Sequence, residues 1–261
     1  MSIILYRYLN FSLRFAFKTQ PECVTYTTTI FRLFVIYITT TNFFKGFYIN
    51  NIMKLLTRYI LSNFGGSVVN KRELEKTCKK FNAKSERTIN FMITYGYLIR
   101  ILRGLYYVKT IEEFKFNHAL NIYKIISLGM DKLKIRWYFG LYTALKFNKA
   151  THEYFDTIFV LNNKIFRPKE IRIANEKVKF IKLKEILFGF GIKEKETIKF
   201  SDLEKTLLDF IYISKYRSLP DEKIISMIEE YGRKANKRRI STYLKFYPKS
   251  VEKVIENAKF L

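Results

Sequence analysis

Cysteine and histidine occur twice each in this 261-residue chain, and glutamine and tryptophan once each. Cys23 and Cys78 cannot build a disulfide framework. With only His118 and His152 beside them, they leave no ligand set for a dedicated zinc site. Four prolines and ten glycines, set against abundant Leu, Ile, Phe and Tyr, exclude a wholly disordered chain. Acid is also short: 23 Asp and Glu face 48 Lys and Arg, for a formal charge of +25 and a pI near 9.9. Long apolar runs are missing at the N-terminus, where the longest uncharged stretch, Leu33–Phe44, spans 12 residues and includes Thr39, Thr40, Thr41 and Asn42. A membrane-spanning helix needs about 20 apolar residues.

The hydrophobic share, 48 %, is ample for a buried core, and the length suits one large or two small domains. The basic excess points to a polyanion such as DNA, RNA or an anionic membrane. A chain rich in Lys, Glu and Ile with Gln20 as its single glutamine also has a thermophile's composition, so part of the lysine count reflects the genome rather than a ligand.

Residues 1–52 do not match the rest. They carry five basic side chains and one acid, whereas 53–261 carry 43 basic and 22 acidic residues. The leading segment sustains neither helical nor strand periodicity and has no secretory pattern. The mismatch predicts that translation begins at Met53; the alternative is a hydrophobic arm for a partner or membrane surface.

From Met53 the periodicity is plain. Leu55, Leu56, Tyr59, Ile60 and Phe64 predict a first helix ended by Gly65-Gly66. Asn70 caps a second helix with Leu74, Cys78 and Phe81 on one face. Ser85 is placed to cap a third, ending at Gly96, with Ile89, Met92 and Ile93 turned inward. Tyr97–Leu102 and Leu105–Val108 read as two strands joined at Arg103-Gly104. Three helices and a hairpin make a winged helix-turn-helix over 53–112. On the third helix Arg87, Asn90, Phe91 and Thr94 point away from the apolar face. Arg and Asn suit base readout in a major groove, while Lys84, Arg100 and Arg103 suit phosphates.

Residues 113–261 read as a mixed α+β segment followed by a C-terminal helical bundle, so the fold class is α+β. Helix is expected over 118–147 with a break near Gly129, a strand over Asp156–Leu161, and a hairpin over 170–183 around Asn175-Glu176. A capping box of Ser201 and Glu204 opens a helix lined by Leu203, Leu207, Leu208 and Ile211. Further helices start at Pro220 and before Ile240, and Ser250 is placed to cap the last. Arg233, Lys234, Lys237, Arg238 and Arg239 form a second basic patch, a solvated face or an anion contact.

Three stretches resemble the AbiEi-type antitoxins, the transcriptional regulators of type IV toxin–antitoxin systems, over about residues 53–250. Gly96 through Tyr106 looks like the family's "G-x-L-x-R-x-x-R-G-x-Y" wing. Tyr138 to Leu145 is similar to its small-residue helix, and Phe200 to Asp209 to its "x-x-E-K-T-L-L-D" helix start. The resemblance implies a winged helix on its own promoter, with inverted repeats in the double-stranded DNA. It also implies a C-terminal domain that counteracts a nucleotidyltransferase-like toxin, with or without a stable complex. The runner-up is a winged-helix adaptor for protein or RNA.

An enzyme is not expected. Gly65-Gly66-Ser67 looks like a nucleotidyltransferase opening, but the window where paired carboxylates belong reads Thr77-Cys78-Lys79-Lys80-Phe81. Asp221, Lys223 and Asp209 imitate a nuclease set only in residue type, and first-turn acids serve the helix dipole anyway. His152, Glu153 and Asp156 form an acid/base-like group with no nucleophile. No catalytic residue, metal or cofactor is implied, and a cytoplasmic protein without a membrane partner is expected.

Overall fold

The computed structural model describes residues 52–116, 120–258 and 260. The expectations for 1–51 and for His118 lie outside the described residues. The chain divides into two units, 1–57 and 58–261. Of the first, 52–57 are helical and belong to helix α1, residues 52–64.

Alternation of helical and strand periods in the second unit gives a mixed α+β fold. After α1 come β1 (Val68–Asn70), α2 (Lys71–Lys80), α3 (Ser85–Thr94), β2 (Leu98–Leu102) and β3 (Leu105–Val108). These strands form an antiparallel sheet in the order β1-β3-β2. Strand β1 is a finding that three residues of sequence did not signal. Asn70 closes a capping box with Glu73, satisfying two free N–H groups at the start of α2. Ser85 is no cap: Lys84 holds that position without a side-chain bond. Gly104 sits at φ +79°, a left-handed turn conformation that costs other residues strain.

Short α4 (Ile111–Lys115) leads toward α5 (Ile122–Lys132). The expected break at Gly129 is absent. The chain instead leaves the helix at Leu133 and forms β4 (Trp137–Phe139), so Tyr138 lies on a strand, before α6 (Leu141–Phe147). Strands β5 (Thr157–Asn162), β6 (Ile171–Ile173), β7 (Glu176–Lys182), β8 (Ile192–Lys195) and β9 (Ile198–Ser201) complete a mixed sheet ordered β6-β7-β5-β4-β9-β8. A 3₁₀ turn, Glu185–Phe188, joins β7 to β8. Helices α7 (Leu203–Tyr216), α8 (Asp221–Tyr231), α9 (Lys237–Leu244) and α10 (Lys249–Asn257) follow.

Both faces of this sheet are covered at its centre, which explains why β4 and β5 carry apolar residues on both faces, whereas β7 alternates Val178 and Phe180 with Lys177 and Lys179. Trp137, Phe139, Ile158, Val160, Val178 and Phe180 share a core with Ile125, Ile126 and Met130 of α5 and with Val68, Ile101 and Leu105 of the small sheet. Tyr138, Leu161 and Leu183 face the opposite core, shared with α7–α10. The C-terminal helices are therefore a layer on the sheet, with α6, α8, α9 and α10 all packed on α7. Among the described residues no helix is long and apolar enough to cross a membrane.

Candidate functional site

Helix α3 buries Thr88, Ile89 and Met92 and leaves the opposite stripe open. Thr88, fully buried, was not expected there; its hydroxyl is satisfied by donating to the Lys84 carbonyl at 3.1 Å. Ile93 is only half-buried, whereas Arg87, Asn90 and Thr94 are exposed, as is Lys84. Their side chains form no hydrogen bond or ion pair with any described residue. Cys78 lies in the core below, and burial pushes its thiol up, away from the reactive thiolate.

Lys71 links the hairpin turn to the start of this helix. The Gly104 carbonyl accepts from the Lys71 N–H at 2.8 Å, and the Lys71 ammonium reaches Glu86 of α3 at 4.0 Å. Lys71, at the first turn of α2, thus touches both the hairpin turn and the first turn of α3. Its position depends on tertiary packing, so no local signal marked it. Arg103 is exposed at the turn, while Arg100 is exposed on β2 with its guanidinium 5.9 Å from the ring of Tyr106, its cross-strand partner. Glu86 is the single carboxylate on α3.

Phe91 finds its partners at the other end of the helix. Its ring lies 4.4 Å from Tyr95 and 6.5 Å from Tyr97, which stacks on Phe114 of α4 at 4.3 Å. The result is an aromatic stack in which Tyr95 remains 60 % exposed.

The second basic patch is split. Arg233, Lys234, Lys237 and Arg238 are exposed without ion pairs among the described residues. Arg239 is not free: it reaches Glu204 at 3.5 Å and Asp202 at 3.7 Å, two nearly buried carboxylates. The proposed Ser201–Glu204 box does not form. Asp202 caps α7 by accepting from the Lys205 N–H, while Glu204 accepts from the Asn236 N–H at 2.8 Å and so holds the start of α9. Ser250 lies inside α10, whose cap position is Pro248.

The most concentrated polar chemistry is interior. Lys205 and Asp209, one turn apart on α7, are fully buried with Nζ and Oδ1 3.5 Å apart. Tyr138 and Tyr247 donate to Asp209 at 2.8 and 2.7 Å, and the ammonium lies 4.4 Å from the Phe190 ring centroid. Burial pushes the Asp209 carboxyl up and the Lys205 ammonium down, each opposed by the other's charge. Tyr243 donates to Asp202 at 3.0 Å, and burial together with that carboxylate lifts its phenol to about 12. Tyr138, Lys205, Asp209 and Tyr247 are paired and buried, with Tyr243 at their edge, so the arrangement tethers elements.

The acids of the two candidate sets are engaged elsewhere. Asp221 pairs with Lys215 at 2.9 Å, apart from buried Asp209. Glu153 accepts from Tyr231 at 3.1 Å, and Asp156 is held by Lys177, whose bond keeps its carboxyl below the usual range. No group of three His, Cys, Asp or Glu among the described residues is placed to hold a metal ion.

No protein-family model matches the sequence, and no curated protein matches it. Among solved structures the chain is similar to the crystal structure of RV2827C protein from Mycobacterium tuberculosis, with a TM-score of 0.50, 10 % identity, and coverage of 80 % of this chain and 76 % of that one. At that identity the likeness is one of fold.

Proposed function

We propose that residues 53–112 act as a winged helix-turn-helix that binds duplex DNA, and that the chain is a cytoplasmic autorepressor and AbiEi-type antitoxin. The observation that carries the reading is the open stripe Arg87, Asn90 and Thr94, on a helix that Lys71 links to the Arg103-Gly104 turn, with the cations unpaired. A helix entering the major groove needs exposed donors able to read base edges, and a hairpin beside it needs cations for the flanking phosphates. Apart from Glu86, nothing on α3 repels a phosphate. The remainder of the chain, 113–261, would then supply the activity against a nucleotidyltransferase-like toxin.

Two experiments test this. A gel shift with duplex from upstream of the gene should give a discrete complex that unrelated duplex competes poorly. Co-expression with an adjacent nucleotidyltransferase gene should restore growth. Equal affinity for all duplexes overturns the repressor reading, and no rescue overturns the antitoxin reading.

The stack of Phe91, Tyr95, Tyr97 and Phe114 favours a second reading, a winged-helix adaptor for protein. Exposed aromatic surface is common in protein interfaces and unnecessary for phosphate contact. In that case Tyr95→Ala weakens partner capture while DNA binding by the chain is absent.

A further inference from the structure

A cleft of about 560 Å³ lies between the segment 166–168, the end of β7 with its exit, and the C-terminal turn of α7. It shares no residue with α3 or the β2–β3 hairpin. Its volume lies within the range of pockets that hold small organic ligands. Every charged side chain lining it is basic: Arg167, Lys179, Lys182, Lys184 and Arg217. Lys179 is engaged, donating to the Pro168 carbonyl. The other four are exposed and make no ion pair or side-chain hydrogen bond with a described residue. Four unpaired cations around one concavity repel one another and favour an anion there.

The aromatic lining narrows the class of anion. Phe166 is 70 % and Tyr216 87 % exposed, and Tyr212 is half-buried with its ring 6.0 Å from that of Tyr247 behind it. Bare phosphate or an acidic side chain would satisfy the cations and leave these rings in water. A nucleotide chain uses both, its phosphates on the cations and its bases on the rings. In a duplex the base faces are already stacked, so the match is to a single strand.

The walls are fixed in place. Buried Asn162 accepts from the backbone N–H groups of Lys164 and Ile165, and its amide donates to the Ile165 and Ile181 carbonyls, clamping the segment before Phe166 and Arg167 onto β7. Leu183, between the two lysines, is buried, and its N–H donates to the Asn162 carbonyl at 2.9 Å. We propose that this cleft binds a short run of single-stranded nucleic acid, with bases stacked on Phe166 and Tyr216 and phosphates held by Arg167, Lys182, Lys184 and Arg217.

Fluorescence anisotropy on the full chain tests it, using mixed-sequence single strands of about ten nucleotides, a duplex, nucleoside monophosphates and an acidic peptide. The single strand should bind, and Phe166→Ala with Tyr216→Ala should weaken it at least about tenfold, since each stacked base contributes strongly. Lys182→Ala with Lys184→Ala should lower the salt slope by about 1.4. All four side chains are exposed, and circular dichroism verifies that the variants fold. Arg87→Ala with Asn90→Ala should leave single-strand affinity unchanged, so the duplex binding of that variant reports on α3 alone and its single-strand binding on the cleft. Single-strand binding indifferent to the aromatic pair, or preference for the acidic peptide or the monophosphates, overturns the proposal.

Discussion

The hydroxyl of Tyr138 donates to Asp209 at 2.8 Å across 71 residues of sequence, in an interior where neither side chain meets solvent. It ties β4 to α7 and joins two of the three stretches on which the family resemblance rests. Lys205 closes the same arrangement from one turn earlier on α7. The charged letters of the "E-K-T-L-L-D" pattern are therefore internal fastenings.

A double-mutant cycle on Lys205 and Asp209 follows from that. Removing one partner leaves the other charge buried and unmatched, so Lys205→Met or Asp209→Leu alone should lose about 3–5 kcal/mol in urea unfolding. The double variant should lose far less than the two losses combined. Additive losses would break the claim that the pair is coupled.

On the proposed DNA face, the two classes of contact separate by salt and by sequence. Arg87→Ala and Asn90→Ala should each cost about 1–3 kcal/mol on the operator and little on random duplex. Arg103→Ala should weaken every duplex and reduce the salt slope by about 1. If none of the three alters binding, α3 does not enter the groove.

Much of the small-sheet region was legible because its signals are local. Asn70 caps where its neighbours require, the β2–β3 hairpin turns at Gly104, and Cys78 fills the core. The misreadings are of one kind. The spacing of Tyr138 to Leu141 and Leu145 predicts a helix, and only the pairing of β4 between β5 and β9 makes it a strand. Ser201 and Glu204 have capping-box spacing, yet Glu204 is drawn to Asn236, 32 residues away, and Asp202 takes the cap. Strand β8 is charged and exposed at an edge, and the alternation of β9, Ile198-Lys199-Phe200-Ser201, spans only four residues, too few to mark a strand by itself. For the candidate site, the outward stripe follows from 100° per residue, but Lys71 and the cleft beside α7 arise from elements far apart in sequence.

Glu73 gives a pH prediction. One carboxylate oxygen accepts from the Asn70 N–H at 2.7 Å and the other from Lys132 of α5 at 2.7 Å. Burial pulls its pKa up, but the Lys132 and Asn70 bonds outweigh it and hold the carboxyl below its ordinary 4.5. The folded form then binds protons more weakly than the unfolded form. Its contribution is present above about pH 4.5 and is lost as pH falls through the folded value. The stability gap between the native chain and Glu73→Gln should be largest near neutral pH and shrink below the ordinary carboxylate value. High salt should narrow it too, because the pair is part-exposed. A gap constant with pH would remove Glu73 as a charged link between α2 and α5.

Gly129 joins stability to the proposed binding face. Within a helix, Gly→Ala ordinarily adds about 1 kcal/mol. Here an added Cβ would stand 2.9 Å from Ile101 Cδ1 and 3.1 Å from its Cγ2, and Ile101 is 1 % exposed on β2. Overpacking costs about 1–3 kcal/mol, so Gly129→Ala should destabilise or at best break even, against the helix-propensity trend. Ile101→Val removes the nearer methyl, so adding it to Gly129→Ala should recover stability, although Ile101→Val alone costs about 0.5–1.5 kcal/mol. Such a sign change between backgrounds identifies the contact. Because Ile101 lies between Arg100 and Arg103 on the hairpin, relief of the clash by a shift of β2 would move those cations relative to α3. Gly129→Ala should then weaken operator binding more than its stability loss accounts for, with Ile101→Val restoring both. Recovered stability without recovered binding would separate the hairpin's position from DNA recognition.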